Sequence, residues 1–236
     1  MTEAARYALY LAPPPESALW RFGSEVIGRD AATGAEFSSF ALDGFDAEAW
    51  RGMTVEPRRY GFHATIKAPF RLNETASEAA LSETAAELAA AQQAFDAGAL
   101  RVSALPVGAA KAFVALTPAA PCAELSRLEG LVVRKLDRFR APLTPAERAR
   151  RNPDQLSARQ REMLDSWGYP YALDEFRPHF TLSDALANSQ PVADALAREF
   201  AARVASPRLR VDALALFAQS RSGGDFTILR RFPFQA

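Results

Sequence analysis

Residues 1–236 read as an α+β fold built from two copies of one unit. The chain has only two histidines, and each opens the same pattern: His63-Ala64-Thr65-Ile66 and His179-Phe180-Thr181-Leu182. With ten threonines in 236 residues, a threonine two places after both histidines has odds of about two in a thousand by composition alone. Two further segments repeat. Leu100-Arg101-Val102-Ser103-Ala104-Leu105 is matched by Leu209-Arg210-Val211-Asp212-Ala213-Leu214, and the run Arg6 to Pro13 resembles Lys111 to Pro118 in its opening base, apolar alternation and terminal proline. Two copies make a duplicated unit rather than a solenoid. The expectation is βαβ-type modules with pseudo-twofold symmetry, two antiparallel sheets lining a central groove, and helices outside. The chain then forms a single bilobal domain with halves at about 1–108 and 109–236, and a helical insertion at about 140–172.

Each element has a local reason. Arg6 to Leu11 reads as a strand stopped by Pro13-Pro14-Pro15, which cannot continue a ladder. A helix follows from Glu16 to about Ile27, then a long connection from Gly28 to Glu56 with a short helix near Ala47 to Trp50. Arg58 to Phe70 reads as extended. Thr75-Ala76-Ser77-Glu78 has the form of a capping box and opens an alanine-rich helix to about Phe95. A second long helix spans Ala123 to Phe139. In the insertion, Thr144 with Glu147 and Ser157 with Gln160 are capping boxes for two short helices, the first with Pro145 at its opening position. Trp167-Gly168-Tyr169-Pro170-Tyr171 is an aromatic turn, and a strand is expected from Glu175. Asn188 to Pro191 starts a helix to about Val204. Ser222-Gly223-Gly224-Asp225 turns a final hairpin between Arg208–Gln219 and Phe226–Phe234.

Composition narrows the function classes. At 49% hydrophobic residues the chain can bury a large core, and 28 acidic residues balance 28 basic ones. Zero net charge gives no global field to recruit nucleic acid, so RNA is the less favoured partner and a small phosphorylated substrate the favoured one. No stretch approaches the roughly 18 apolar residues of a membrane span. One cysteine, Cys122, cannot form an intramolecular disulfide, and the short apolar segment near the start lacks a basic leader, so a cytoplasmic setting is expected.

The histidines carry the chemistry. Imidazole, with an ordinary pKa of roughly 6.5, exchanges protons near neutral pH. Side chains alternate along a strand, so His63, Thr65 and Lys67 are expected on one face, and Arg177, His179, Thr181 and Ser183 on the corresponding face of the second half. Facing each other, these groups suit in-line displacement at phosphorus. One imidazole deprotonates water, the other protonates the leaving oxygen, and the hydroxyls and cations hold the phosphoryl oxygens. Two histidines without an acidic or cysteine cluster fall short of a zinc site, so no metal or other cofactor is expected. Tyr10, on the groove side of the first strand, and Arg59 complete the substrate-binding candidates. Arginines 148, 150, 151, 159 and 161 of the insertion are further candidates for a second phosphate, and Trp167, Tyr169 and Tyr171 for stacking on a base.

The paired His-x-Thr-apolar motifs in a duplicated α+β chain resemble the two-histidine (2H) phosphoesterase superfamily, LigT-like, over nearly the whole chain. Arg59 to Lys67, Arg150-Arg151-Asn152-Pro153, Trp167 to Tyr171 and Phe176 to Leu182 resemble a subgroup named for phosphonate metabolism, often encoded beside the carbon-phosphorus lyase system. The resemblance implies metal-independent cyclic phosphodiesterase activity, with catalytic or phosphate-binding roles for His63, Thr65, His179 and Thr181. Its small RNA-processing members lack the insertion. Two other functions fit the same residues: a non-catalytic module that captures a phosphorylated metabolite, and an RNA end-processing phosphodiesterase or ligase.

Overall fold

The computed structural model describes residues 5–221 and 223–236. Its strands are β1 (Arg6–Leu11), β2 (Ala64–Arg71), β3 (Phe95–Val107), β4 (Lys111–Pro118), β5 (Phe180–Thr181), β6 (Arg208–Val211), β7 (Ala213–Gln219) and β8 (Thr227–Pro233). The helices are α1 (Ala18–Ile27), α2 (Ala47–Gly52), α3 (Val55–Tyr60), α4 (Glu78–Ala90), α5 (Ala123–Leu136), α6 (Pro145–Ala149), α7 (Ala158–Trp167) and α8 (Gln190–Arg203). The architecture is α+β.

The two sheets expected from the sequence are one. Eight strands run in the order β6-β3-β4-β5-β2-β1-β7-β8, every neighbour antiparallel. A single residue pair, Ala64↔Phe180, joins β2 to β5 at the centre. The third strand of each half leaves it: β3 pairs with β4, and β7 pairs with β1. The strand expected over 208–219 is two strands. It breaks at Asp212, whose carboxylate takes Arg231 at 3.1 Å and whose carbonyl accepts from the Phe234 amide, so that β6 pairs with β3 while β7 forms the hairpin with β8. Of the turn read at 222–225, Ser222 lies outside the described residues.

One sheet face is core. Phe62, Ala64, Ile66, Phe180 and Leu182 are buried, with α1, α5 and α8 supplying Trp20, Leu128 and Phe200 among others. Phe62 stacks on Phe180 at 5.0 Å between ring centres and meets the Trp20 ring edge-on at 6.4 Å. The ring occupies space that only glycine leaves free, since a Cβ at Gly23 of α1 would sit 2.2 Å from it.

Helix starts were read well where a local side chain makes them. Thr144 and Ser157 form both capping boxes, and Ser17 caps α1. The cap of α4 is Ser77, accepting from the Ala80 amide, while the Thr75 hydroxyl bonds Asn73 instead. That helix also ends at Ala90, where the chain turns into the long strand β3. Helix α3 replaces the expected extended start at Arg58. Its exposed amides at Val55 and Glu56 are satisfied by the Asp184 carboxylate, at 2.9 and 3.0 Å, from far along the chain. The strand expected from Glu175 is only Phe180–Thr181; residues 173–175 form a 3₁₀ turn. No helix among the described residues is long and apolar enough to cross a membrane.

Candidate functional site

The register of the central strands gathers the two motifs. Ala64 and Phe180 are opposite each other with side chains in the core, so their neighbours emerge on the other face. Continuing that antiparallel register puts His63 across from Thr181, and Thr65 across from His179. Each imidazole therefore faces the hydroxyl of the other half. All four residues line one cavity of about 360 Å³, together with Tyr10, Glu56, Tyr60, Phe113, Arg151, Tyr169, Ser183 and Asp184.

Both imidazoles are held in the same way. His63 Nδ1 is 2.7 Å from the Gly61 carbonyl, and His179 Nδ1 is 2.7 Å from the Arg177 carbonyl. A carbonyl only accepts, so Nδ1 carries the proton in each neutral ring and Nε2 keeps the lone pair. Gly61 has φ of +79°, and a Cβ there would lie 2.4 Å from that of Ala31. Glycine is what allows this carbonyl to turn back. Buried Arg29 anchors the same segment, donating to the carbonyls of Arg58 (2.8 Å), Arg59 (3.0 Å) and Phe226 (2.6 Å). Sequence reasoning missed it, because nothing local distinguishes a positioning arginine from a solvated one.

The two rings differ in their surroundings. Tyr10, opposite Thr65 in β1, stacks flat on His63 at 3.7 Å with 19° between planes. Among the described residues, the aromatic ring that meets His179 is that of Phe113, tilted and at 5.2 Å. Burial pushes His63 down to about 4, against the Gly61 bond that raises it, and the charge of a protonated His179 lowers it further. Burial also lowers His179, with the Arg177 bond opposing. The Tyr10 hydroxyl is raised well above its ordinary range, chiefly by burial.

Tyr10 is where alternation put it, but the three predicted cations do not line the cavity. Lys67 is on the core side. The register of β1 against β2 shifts between Leu9 and Tyr10, so that Leu9 faces Lys67 while Tyr10 faces Thr65, and this bulge at Ile66 turns Lys67 to the core; a second shift follows between Tyr7 and Leu9. Lys67, 3% exposed, bonds Asp137 at 3.0 Å. Arg177 is exposed, because residues 176–178 lie before the strand and its period does not extend past His179. Arg59 sits in the last turn of α3, pairs with Glu56 at 2.7 Å and lies over the Tyr60 ring. Of the five insertion arginines, Arg151 alone lines the cavity. Tyr60 and Glu56 escaped notice because α3 was read as the end of a connection and the start of an extended run. Among the described residues, no group of three or more histidine, cysteine, aspartate or glutamate side chains gathers as a metal set requires.

The displaced lysine makes a stability prediction. Asp137→Ala strands a buried ammonium and should cost about 3–5 kcal/mol, whereas Lys67→Met leaves Asp137 bonded to Arg140 at 2.8 Å and should cost much less. Chemical denaturation measures both, and equal losses would contradict the buried-pair account.

Several known proteins resemble this chain. A ribose 1,5-bisphosphate phosphokinase PhnN of Janthinobacterium sp. (strain Marseille) is 37% identical over 234 residues, covering 97% of this chain and 51% of that protein. The protein of the same name from Laribacter hongkongensis (strain HLHK9) is 35% identical over 225 residues, covering 95% and 51%. The chain thus spans about half the length of these curated relatives. Among solved structures, E. coli LigT complexed with 3'-AMP has a TM-score of 0.49 at 15% identity, covering 99% of this chain and 100% of that one. Kluyveromyces marxianus Usb1 has a TM-score of 0.38 at 11% identity, covering 97% and 99%. The family model described as "Protein of unknown function (DUF1045)" matches residues 65–227, from the first motif threonine to the last strand, and the chain belongs to that family.

Proposed function

We propose that this chain is a 2H-type phosphoesterase that opens a cyclic phosphodiester on a small ribose-containing molecule. The observation that carries the reading is the crossed pairing of two imidazoles with two threonine hydroxyls in one cavity, each imidazole held with Nε2 free. The name of the curated relatives, which act on ribose 1,5-bisphosphate, favours a ribose phosphate in phosphonate metabolism over a long RNA.

In the proposed reaction, water attacks phosphorus as His63 Nε2 takes its proton. The bond from phosphorus to one ribose oxygen breaks, and protonated His179 gives that oxygen a proton from Nε2. One water is consumed and a phosphomonoester results. The Thr65 and Thr181 hydroxyls donate to the non-bridging oxygens. His63 is assigned as the base because Tyr10 stacks over it and burial, with the charge of a protonated His179 beside it, lowers its pKa to about 4.

The test is incubation of purified protein with 2',3'-cyclic nucleotides and cyclic ribose phosphates in excess chelator. Ring opening is expected to persist; its absence, or its loss on chelation, overturns the proposal. The pH dependence follows from the same groups. Activity needs His63 deprotonated, so kcat/KM should rise through about pH 4, and it needs His179 protonated, so it should fall at a pH below the ordinary histidine value. The bell for kcat should lie at higher pH, because a bound phosphate anion raises both imidazoles. A kcat/KM optimum above pH 7 would contradict this assignment.

A further inference from the structure

The cavity runs from the imidazole pair to the insertion, where it is lined by groups with no task at the reacting phosphorus. Arg151 lies on that wall, just after α6. Three of its four fellow arginines are engaged, Arg148 with Asp165 at 2.8 Å, Arg159 with Asp174 and Glu162 at 2.7 Å each, and Arg161 with the Leu156 carbonyl, while Arg150 is exposed and does not line the cavity. Among the described residues, no carboxylate lies within ion-pair distance of Arg151, whose guanidinium instead stands 5.3 Å from the centre of the Tyr169 ring. The cavity's own carboxylates are committed elsewhere, Glu56 to Arg59 and Asp184 to the amides of α3. The departure point of Arg151 is defined by Asn152, left-handed at φ 48°, and by Pro153, which opens a 3₁₀ turn. Tyr60, 6.3 Å from His63, lies between the two ends.

A cation that lines a cavity and has no acidic partner is a place for an anion. The threonine hydroxyls and imidazoles already serve the reacting group on the sheet. We propose that Arg151, backed by Tyr169, is a second anion subsite, which takes a phosphomonoester carried by the substrate away from the reacting phosphorus. The preferred substrate class is then a small sugar or nucleoside bearing two phosphoryl groups. About 360 Å³ is at the small end of ligand sites and suits one such molecule. The assignment rests on the phosphoesterase reading for where the first phosphate binds.

Equilibrium binding tests it without turnover, so its failure is separable from failure of the hydrolytic reading. Calorimetry would compare adenosine 3'-phosphate with adenosine 3',5'-bisphosphate on the full chain. The second phosphate should tighten binding by about tenfold or more, the usual scale of one charge-assisted contact. In Arg151→Ala that ratio should fall to near one. In Arg148→Ala, whose arginine faces Asp165 outside the cavity, the ratio should be kept. A wild-type ratio near one, a ratio that survives Arg151→Ala, or equal loss in Arg148→Ala would each overturn the subsite.

Discussion

His63→Ala should lower kcat for cyclic phosphodiester opening by about 10²–10⁴, and His179→Ala by a similar factor, the range spanned by a positioned acid or base. Single-turnover rates on a 2',3'-cyclic nucleotide would measure both. The double variant should lose little more than either single one, because removing one half of a proton relay disables the other. The variants should part in their pH profiles. Without His63 the limb near pH 4 should vanish, while without His179 the alkaline limb should go. His63→Ala also removes the ring stacked on buried Tyr10, so its unfolding midpoint should fall more than that of His179→Ala, and rates should be read on the folded fraction. A loss below about tenfold in either variant would remove that imidazole from the acid-base pair.

Phe62→Ala should cost about 3–5 kcal/mol of stability, the span for deleting a fully enclosed phenyl ring. The ring has no exposure, stacks on Phe180 and fills the gap left by Gly23. Against a typical total of about 5–15 kcal/mol this is a large share. Collapse around the cavity is limited because α1 and β5 hold it from two sides. The damage should also reach the site, because Phe62 adjoins His63 and its partner Phe180 adjoins His179. Urea denaturation gives the first effect and the kcat of the surviving folded fraction the second. A cost below about 1 kcal/mol would mean that the neighbours close over the space, contrary to the packing described here.

What was legible in the sequence was what repeats or acts locally. The two His-x-Thr patterns met at one cavity because strand alternation and duplication are visible in the letters, and the capping boxes at Thr144 and Ser157 are made by residues three apart. The cations were misplaced for two physical reasons. A bulge at Ile66, three residues before Pro69, breaks the alternation of β2, and Lys67 ends in the core. Alternation was also extended to Arg177, in chain that is not strand. Helix α3 was hidden because its cap, Asp184, is 128 residues from Glu56 and no window contains both. The single sheet was hidden for the same reason, since the strands that complete each half come from the other.

That exchange of strands sets how the molecule must come into being. β1 contains Tyr10, yet one of its two neighbours is β7, with Arg6 facing Gln219 across most of the chain. During synthesis the first strand waits with an open flank until β7 has been made, and closing so long a loop is a slow step. A chain halted after its first histidine motif has an unsatisfied edge on β1, the kind of surface that attracts foreign strands. Unfinished copies are therefore marked by aggregation-prone edges, and the two imidazoles face each other only once the whole sheet is closed.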